Sequence, residues 1–328
     1  METIRTVAEL RALLAGPRRE GRVIGLVPTM GAFHEGHLSL IRQARSRCDL
    51  VVVSLFVNPT QFNDPGDLAV YPRDEDEDAA RAAELGVDYL FVPAIDEVYP
   101  AGFATAVSVS GLTQRLEGVA RGRGHFDGVA TVVTKLLNMV APDIAYFGQK
   151  DAQQVAVIRH LVRDLNIPVE IDVCPTVRAQ DGLALSSRNL LLSAAERRQA
   201  TALHRALQDV QEAVRAGGRD PEAVTEAARR RLAQAGVEPD YLSVVSAQTM
   251  EPVEGVEGDV LAVIAARIGA VRLIDNVPIT VTGAEGPTRT GQPTREPSDG
   301  SLSRMTMNRN IHDEVATPLR GVNHPQEA

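Results

Sequence analysis

The feature that most constrains this 328-residue chain is the run Leu50-Val51-Val52-Val53-Ser54-Leu55-Phe56-Val57. It is almost continuously apolar and rich in β-branched residues. A strand with one face in water alternates; a run like this one belongs to a strand covered on both faces. Shorter apolar runs recur at 23–27, 89–92, 144–147 and 169–173, and helical patterns fill the intervals at 38–47, 75–85, 129–140 and 152–166. Gly, Pro or Asn marks the joins. This alternation predicts an α/β fold, a Rossmann-like doubly wound parallel sheet occupying residues 1–175. The composition agrees. Apolar residues make up 44% of the chain, aromatics only 4%, and there is no Trp, so Val, Leu, Ile and Ala must build the core.

After Cys174-Pro175 the rhythm changes. Ser193-Ala-Ala-Glu196 has the form of a capping box and opens a long helix to about 216. Asp220-Pro221-Glu222 starts a second helix, and strand-like runs follow at 241–245, 260–265 and 271–274. Residues 176–281 therefore read as a smaller α+β domain with the character of a lid. From 282 to 328 the chain is rich in Gly, Pro, Thr and Ser without apolar period, which predicts a disordered tail.

A formal net charge of −9 is a poor basis for binding nucleic acid or an anionic membrane. Cys48 and Cys174 are too few for a disulfide framework or a zinc cluster. The N-terminus lacks the apolar core of a signal peptide, and no apolar run is long enough to span a bilayer. The expected location is the cytoplasm.

Four blocks carry chemistry. The first is Pro28-Thr29-Met30-Gly31-Ala32-Phe33-His34-Glu35-Gly36-His37, between the first apolar run and a helix. Ligands of open α/β sheets bind at such strand ends, and a helix N-terminus attracts phosphate. His34 and His37, three apart, lie on one face of a first helical turn and can serve as donors to a phosphate whose charge shifts in the transition state. The spacing is not that of a zinc-protease helix.

The second block, Asn58-Pro59-Thr60-Gln61, puts neutral amides at the end of the strongest strand, suited to a hydroxy acid. The acidic run Asp74 to Asp78 follows it; a solvated helix start is its ordinary meaning, with a carboxylate near Mg²⁺ as the alternative. The third, Gly148-Gln149-Lys150-Asp151-Ala152-Gln153-Gln154, places a compact cation after another strand, with Gln154 one turn on. The fourth, Leu185-Ser186-Ser187-Arg188, offers hydroxyls and a guanidinium where the two domains join.

The first block alone is similar to the H-x-G-H signature of the nucleotidylyltransferase superfamily. Taken in order, the four blocks and the closing Arg272-Leu273-Ile274-Asp275-Asn276 resemble the pantothenate synthetase (pantoate–β-alanine ligase) family, from the N-terminus to about residue 279. The resemblance implies an enzyme that condenses pantoate with β-alanine through an enzyme-bound pantoyl adenylate, releasing AMP and pyrophosphate, a step of vitamin B5 and coenzyme A synthesis. It implies ATP with Mg²⁺, and a homodimer. Met30, Gly31, His34, His37, Gly148, Gln149, Lys150, Asp151, Val177, Leu185, Ser186, Ser187 and Arg188 then belong to the ATP site. His34, His37 and Lys150 act in catalysis, with Asp151 toward the ribose and Val177 at the adenine. Gln61, Gln154 and Asn58 hold pantoate and β-alanine, and Asp78 lies near the metal.

The chain departs from the family pattern. Gln149 replaces the usual Glu, Leu185 replaces a Met, and one extra residue in the loop Arg121-Gly122-Arg123-Gly124 leaves either Arg121 or Arg123 to take the family's arginine role. Two other readings are an adenylyltransferase that stops at the adenylylated product and a non-catalytic nucleotide sensor. The first differs in forming no AMP with an amine acceptor; Gln149 speaks for the second, and His34, His37 and Lys150 speak against it.

Overall fold

The computed structural model describes residues 1–63 and 65–281. The tail expectation for 282–328 lies outside the described residues. In chain order the elements are β1 (Glu2–Ile4), α1 (Val7–Arg19), β2 (Ile24–Thr29), α2 (Glu35–Arg47), β3 (Leu50–Leu55), α3 (Pro65–Val70), α4 (Glu75–Glu84), β4 (Tyr89–Phe91), α5 (Ile95–Val98), α6 (Glu117–Arg121), α7 (Arg123–Val140), β5 (Ile144–Gly148), α8 (Ala152–Asp164), β6 (Glu170–Cys174), α9 (Ala194–Arg215), α10 (Pro221–Gln234), β7 (Pro239–Ser246), β8 (Gly258–Ile268) and β9 (Val271–Val281).

Six parallel strands pair in the order β1-β4-β3-β2-β5-β6. The strand order reverses between β2 and β5, so the crevice at their carboxyl ends is the topological switch point where such sheets take ligands. β3 shows why its run is continuous. Val52 packs with α1, α7 and α8 on one face, while Val51 and Val53 pack with α2 and α4 on the other. Both clusters are mainly aliphatic, with a few aromatics such as Phe91 and Phe147 in one and Phe33 and Tyr146 in the other.

The remaining strands form an antiparallel sheet, β7-β8-β9, with β8 and β9 joined through Gly269-Ala270. It too is covered on both faces. Leu261 and Val263 join the core of the large sheet, whereas Val260, Ala262 and Ile264 pack against α9 and α10. That sandwiching accounts for strands longer than the apolar runs at 260–265 and 271–274 indicate. Ser193 and Glu196 do form a reciprocal capping box at α9, and Asp220 caps α10.

Two N-terminal elements, β1 and α1, have no counterpart among the predicted runs, and α7 begins six residues before 129. Gly124 and Gly128 conceal its first turns by their low helix propensity. The structure needs Gly128: a Cβ there would lie 2.5 Å from the Thr60 carbonyl oxygen, so α7 can pack against the 3₁₀ turn Pro59–Gln61 only without one. No helix among the described residues is long and apolar enough to cross a membrane.

Candidate active site

A cleft of about 470 Å³ opens at the carboxyl ends of β2, β3, β5 and β6. The loop after β2 enters it through two left-handed residues, Gly31 (φ 87°) and Ala32 (φ 53°). The backbone N–H groups of Ala32 and Phe33 each donate to a carboxylate oxygen of Asp78 at 2.7 Å, and Arg81 Nη1 donates to the Phe33 carbonyl at 2.6 Å. A Cβ on Gly31 would stand 2.9 Å from Asp78 Oδ2. Asp78 is only 2% exposed and does not line the cleft; it anchors this loop from behind. Each of its oxygens accepts one backbone N–H, and the carboxylate is set back from the cleft lining. Among the described residues no three His, Cys, Asp or Glu side chains gather as metal ligands do.

The anchored loop delivers His34 as the N-cap of α2. His34 Nδ1 accepts from Gly36 N at 3.1 Å, His37 Nδ1 accepts from His34 N at 3.4 Å, and the rings stack with centroids 4.2 Å apart. A ring nitrogen that accepts carries no proton, so each neutral imidazole keeps its hydrogen on Nε2 and has that donor left to offer. Burial, seconded by Lys150, holds His34 below its ordinary value. Burial and the neighbouring His34 push His37 down to about 3. Both rings line the cleft uncharged, as donors at the positive end of α2.

After β3, Asn58 is 1% exposed and fully committed. Its Nδ2 donates to Gln61 Oε1 and the Gly128 carbonyl, both at 3.1 Å, and its Oδ1 accepts from the hydroxyls of Tyr99 at 2.8 Å and Thr60 at 2.9 Å. Nothing is left on Asn58 for a ligand, so it orients Gln61. Among the described residues, Gln61 itself gives its Nε2 only to the Met30 sulfur, at 3.1 Å, a weak acceptor that a better one can replace. Gln154, on α8, lines the same cleft with no hydrogen-bond partner among the described residues. Its neighbour Gln153 is buried and spends its amide on α6 and the Leu112–Gln114 turn.

After β5, Gly148, Lys150 and Asp151 line the cleft, with Lys150 Nζ 3.6 Å from Asp151 Oδ1. Burial raises the Asp151 carboxyl, but Lys150, Arg121 and Arg188 outweigh it and hold the group below the usual carboxylate range. Gln149 faces away from the cleft. Its Nε2 donates to Asn276 Oδ1 on β9 at 2.9 Å, outside the cleft lining.

After β6 the chain forms a narrow loop in which Leu185 N donates to the Val177 carbonyl at 3.0 Å, pairing the two residues on the cleft wall. Ser186, Ser187 and Arg188 continue along it. Arg178 fastens this loop to β9 by a bidentate pair with Asp275, at 2.6 and 2.9 Å. Tyr71 and Ser187 both line the cleft, and burial raises the Tyr71 hydroxyl above its ordinary value.

The sequence patterns thus converge: of the named residues, only Gly31, Gln149 and Asp78 do not line the cleft. Several lining or supporting groups carry no motif, among them Tyr71, His125 and Arg178, while Asp275 and Asn276 belong to the closing block, to which the sequence assigns no role. Glu117 is another. It is buried, accepts from Arg121 Nε and Arg272 Nη1 at 2.8 Å each, and accepts from Tyr241 at 3.0 Å. Of the two loop arginines, Arg121 lines the cleft, held by Glu117. The side chain of Arg123 lies outside the described residues.

Topology and cleft together define the class: an α/β enzyme whose ligands meet at the carboxyl ends of parallel strands, at the switch point. Comparison with known proteins makes it specific. The family model for pantoate-beta-alanine ligase matches residues 2–278. Pantothenate synthetase of Cereibacter sphaeroides is 55% identical over 276 residues, 84% of this chain and 99% of the relative. The crystal structure of pantothenate synthetase from Thermus thermophilus is similar at a TM-score of 0.80 and 47% identity, covering 84% of this chain and 99% of that one. The pantoate-beta-alanine ligase of Francisella tularensis, solved in complex with a β-γ ATP and β-alanine, matches with a TM-score of 0.70 and 36% identity over 84% of this chain and 97% of that one. The chain belongs to the pantoate-beta-alanine ligase family.

Proposed function

We propose that the protein condenses pantoate with β-alanine at the expense of ATP, giving pantothenate, AMP and pyrophosphate. The observation that carries this reading is the pair of neutral, stacked imidazoles at the start of α2, opposite Lys150, in a cleft that also holds two amides with little else to bond. A carboxylate oxygen of pantoate attacks the α-phosphorus of ATP, the bond to the β-phosphate bridging oxygen breaks, and pyrophosphate leaves. The β-alanine amine then attacks the acyl carbon of the mixed anhydride; the amide bond forms, the acyl–oxygen bond breaks, AMP leaves and the amine gives up a proton. No protein nucleophile is required.

In this reading His34 and His37 offer Nε2–H donors, and Lys150 a charge, to the phosphate oxygens as they gain charge. Such preorganised donors act only where charge develops. Gln61 and Gln154 bind the hydroxyl and carboxylate groups of pantoate, with Asn58 setting Gln61. Val177 and Leu185 flank the base, Asp151 takes a ribose hydroxyl, and Ser186, Ser187 and Arg188 receive the triphosphate. Mg²⁺ would come with the nucleotide and supply charge neutralisation at the phosphates, and Asp78 would support that site by anchoring the loop that carries His34. Residues 176–281 act as a lid domain on 1–175, the protein works in the cytoplasm, and it is a homodimer.

The direct test is purified protein with ATP, pantoate and β-alanine, following AMP and pantothenate. Equal formation of both, dependent on both acids, is expected. AMP without β-alanine, or no turnover, overturns the reading.

A further inference from the structure

The turn that carries Lys150 is held from a distant part of the chain. Asn276, 3% exposed on β9, donates Nδ2 to the carbonyls of Gln149 and Lys150, at 2.9 and 3.0 Å. Two carbonyl acceptors fix that end of the amide as the donor, so Oδ1 faces the other way, where Gln149 Nε2 meets it at 2.9 Å. The next residue along, Asp275, accepts the backbone N–H of Asn276 at 2.7 Å and pairs with Arg178. Arg178 Nη2 returns to the Asn276 carbonyl at 3.2 Å. Asn276 is thereby clamped on three sides.

The structure assigns Asn276 the role of positioning residue for Lys150, a role that rests on the reading of Lys150 given above. The turn Gln149–Asp151 is a single 3₁₀ turn with no side-chain cap of its own. Its carbonyls at 149 and 150 both accept from the Asn276 amide on β9, the one side-chain donor to them among the described residues. Shifting this turn moves the ammonium of Lys150 against the reacting phosphate, and about 1 Å of misplacement suffices to cost about 10²-fold in rate. The two halves of the contact are unequal. The donation to backbone fixes the turn, whereas the bond from Gln149 only completes the amide's acceptor and can be taken over by water. A chain with another side chain at 149 keeps the clamp.

The test uses pantoate-dependent exchange of pyrophosphate into ATP by full-length variants. Asn276→Ala is expected to lose about 10²-fold in kcat with KM for pantoate changed less than about threefold and the melting temperature within a few degrees. Asn276→Asp, nearly the same shape but presenting no donor to the carbonyls, is expected to fall at least as far. Asn276→Ser, which keeps one donor, lies between. Lys150→Ala with Asn276→Ala is expected to be no slower than Lys150→Ala alone, because Asn276 acts through Lys150. Near-normal exchange by Asn276→Asp, or additive losses in the double variant, overturns the assignment. If Asn276→Ala does not fold, Asn276→Ser decides: wild-type kcat in that variant equally overturns it. A fully active Lys150→Ala variant instead overturns the role of Lys150, a separate failure.

Discussion

The two sheets divide the work unequally. Every strand of the parallel sheet from β2 to β6 except β4 ends in a loop that lines the cleft. The antiparallel sheet lines it with only Ile274, yet holds three of its walls: Asn276 the turn after β5, Asp275 the loop after β6, and Arg272 and Tyr241 the α6 segment through Glu117. One sheet presents chemistry; the other prevents it from moving. The reason is geometric. Parallel strands converge their carboxyl ends on one crevice, but the loops there are long and short of ladder hydrogen bonds, so their polar backbone needs partners from elsewhere.

The sharpest way to break this division is to damage the presenting side. His37→Ala is expected to slow formation of the acyl adenylate about 10²–10³-fold, the usual consequence of losing one preorganised donor. The second half-reaction, started from supplied pantoyl adenylate, is expected to suffer much less. Rapid-quench measurement of both steps checks this. Equal losses would make the imidazole a general support for the loop, and the presenting role would fall.

On the supporting side, Asp275→Ala leaves Arg178 without its bidentate partner and removes the acceptor of Asn276 N. Breaking a largely buried pair from one side costs about 3 kcal/mol. A fall of that size in urea-unfolding free energy is expected, together with weaker ATP binding, because the Val177–Leu185 wall is released. Unchanged stability would show that the β9 contacts are incidental.

This asymmetry also governs what the sequence discloses. The presenting side is legible because its residues sit next to one another in the chain: His34 to His37 spans four positions, Gly148 to Gln154 seven. The supporting side pairs residues far apart, such as Gln149 with Asn276 and Glu117 with Arg272 and Tyr241, and no spacing records it. Asp78 illustrates the same limit. An acidic run at a helix start has a local explanation, and nothing local reveals that one member turns inward to bind Ala32 and Phe33. Gly128 misleads in the opposite sense, reading as a helix breaker where the helix needs a glycine to touch Thr60.

The neutral imidazoles allow a gentler test that requires no mutation. Burial lowers the His37 value to about 3 in the folded protein, against about 6.5 in the unfolded chain. Between these values the unfolded chain binds the extra proton, so stability rises with pH through this window and is lost as pH falls below about 6.5. From pH 7 to pH 5 this one group removes about 2 kcal/mol. Denaturation midpoints over that range are expected to fall, and His37→Gln is expected to flatten the slope. An unchanged slope in the variant would mean that His37 titrates near its ordinary value, and that the ring gains its charge within this range in the folded protein as well.

The smallest expected effect lies at the far end of the supporting network. Tyr241→Phe removes one hydroxyl, 3.0 Å from Glu117 Oε1, and leaves the ring packed against the main core. Glu117 still accepts from Arg121 and Arg272, so no buried carboxylate is stranded, and only the net value of one hydrogen bond to a charged group is lost. That is about 1.5 kcal/mol, the low end for a bond to a charged group, because two arginines still hold the carboxylate. Adenylation is expected to stay within about threefold of wild type, because Arg121 keeps its partner and Lys150 is held separately through Asn276. Thermal unfolding and pyrophosphate exchange on the same preparation check both halves. A loss of activity as large as that of His37→Ala would show that the small sheet does more than hold the walls, and the division between presenting and supporting sheets would have to be redrawn around Glu117 and Arg121.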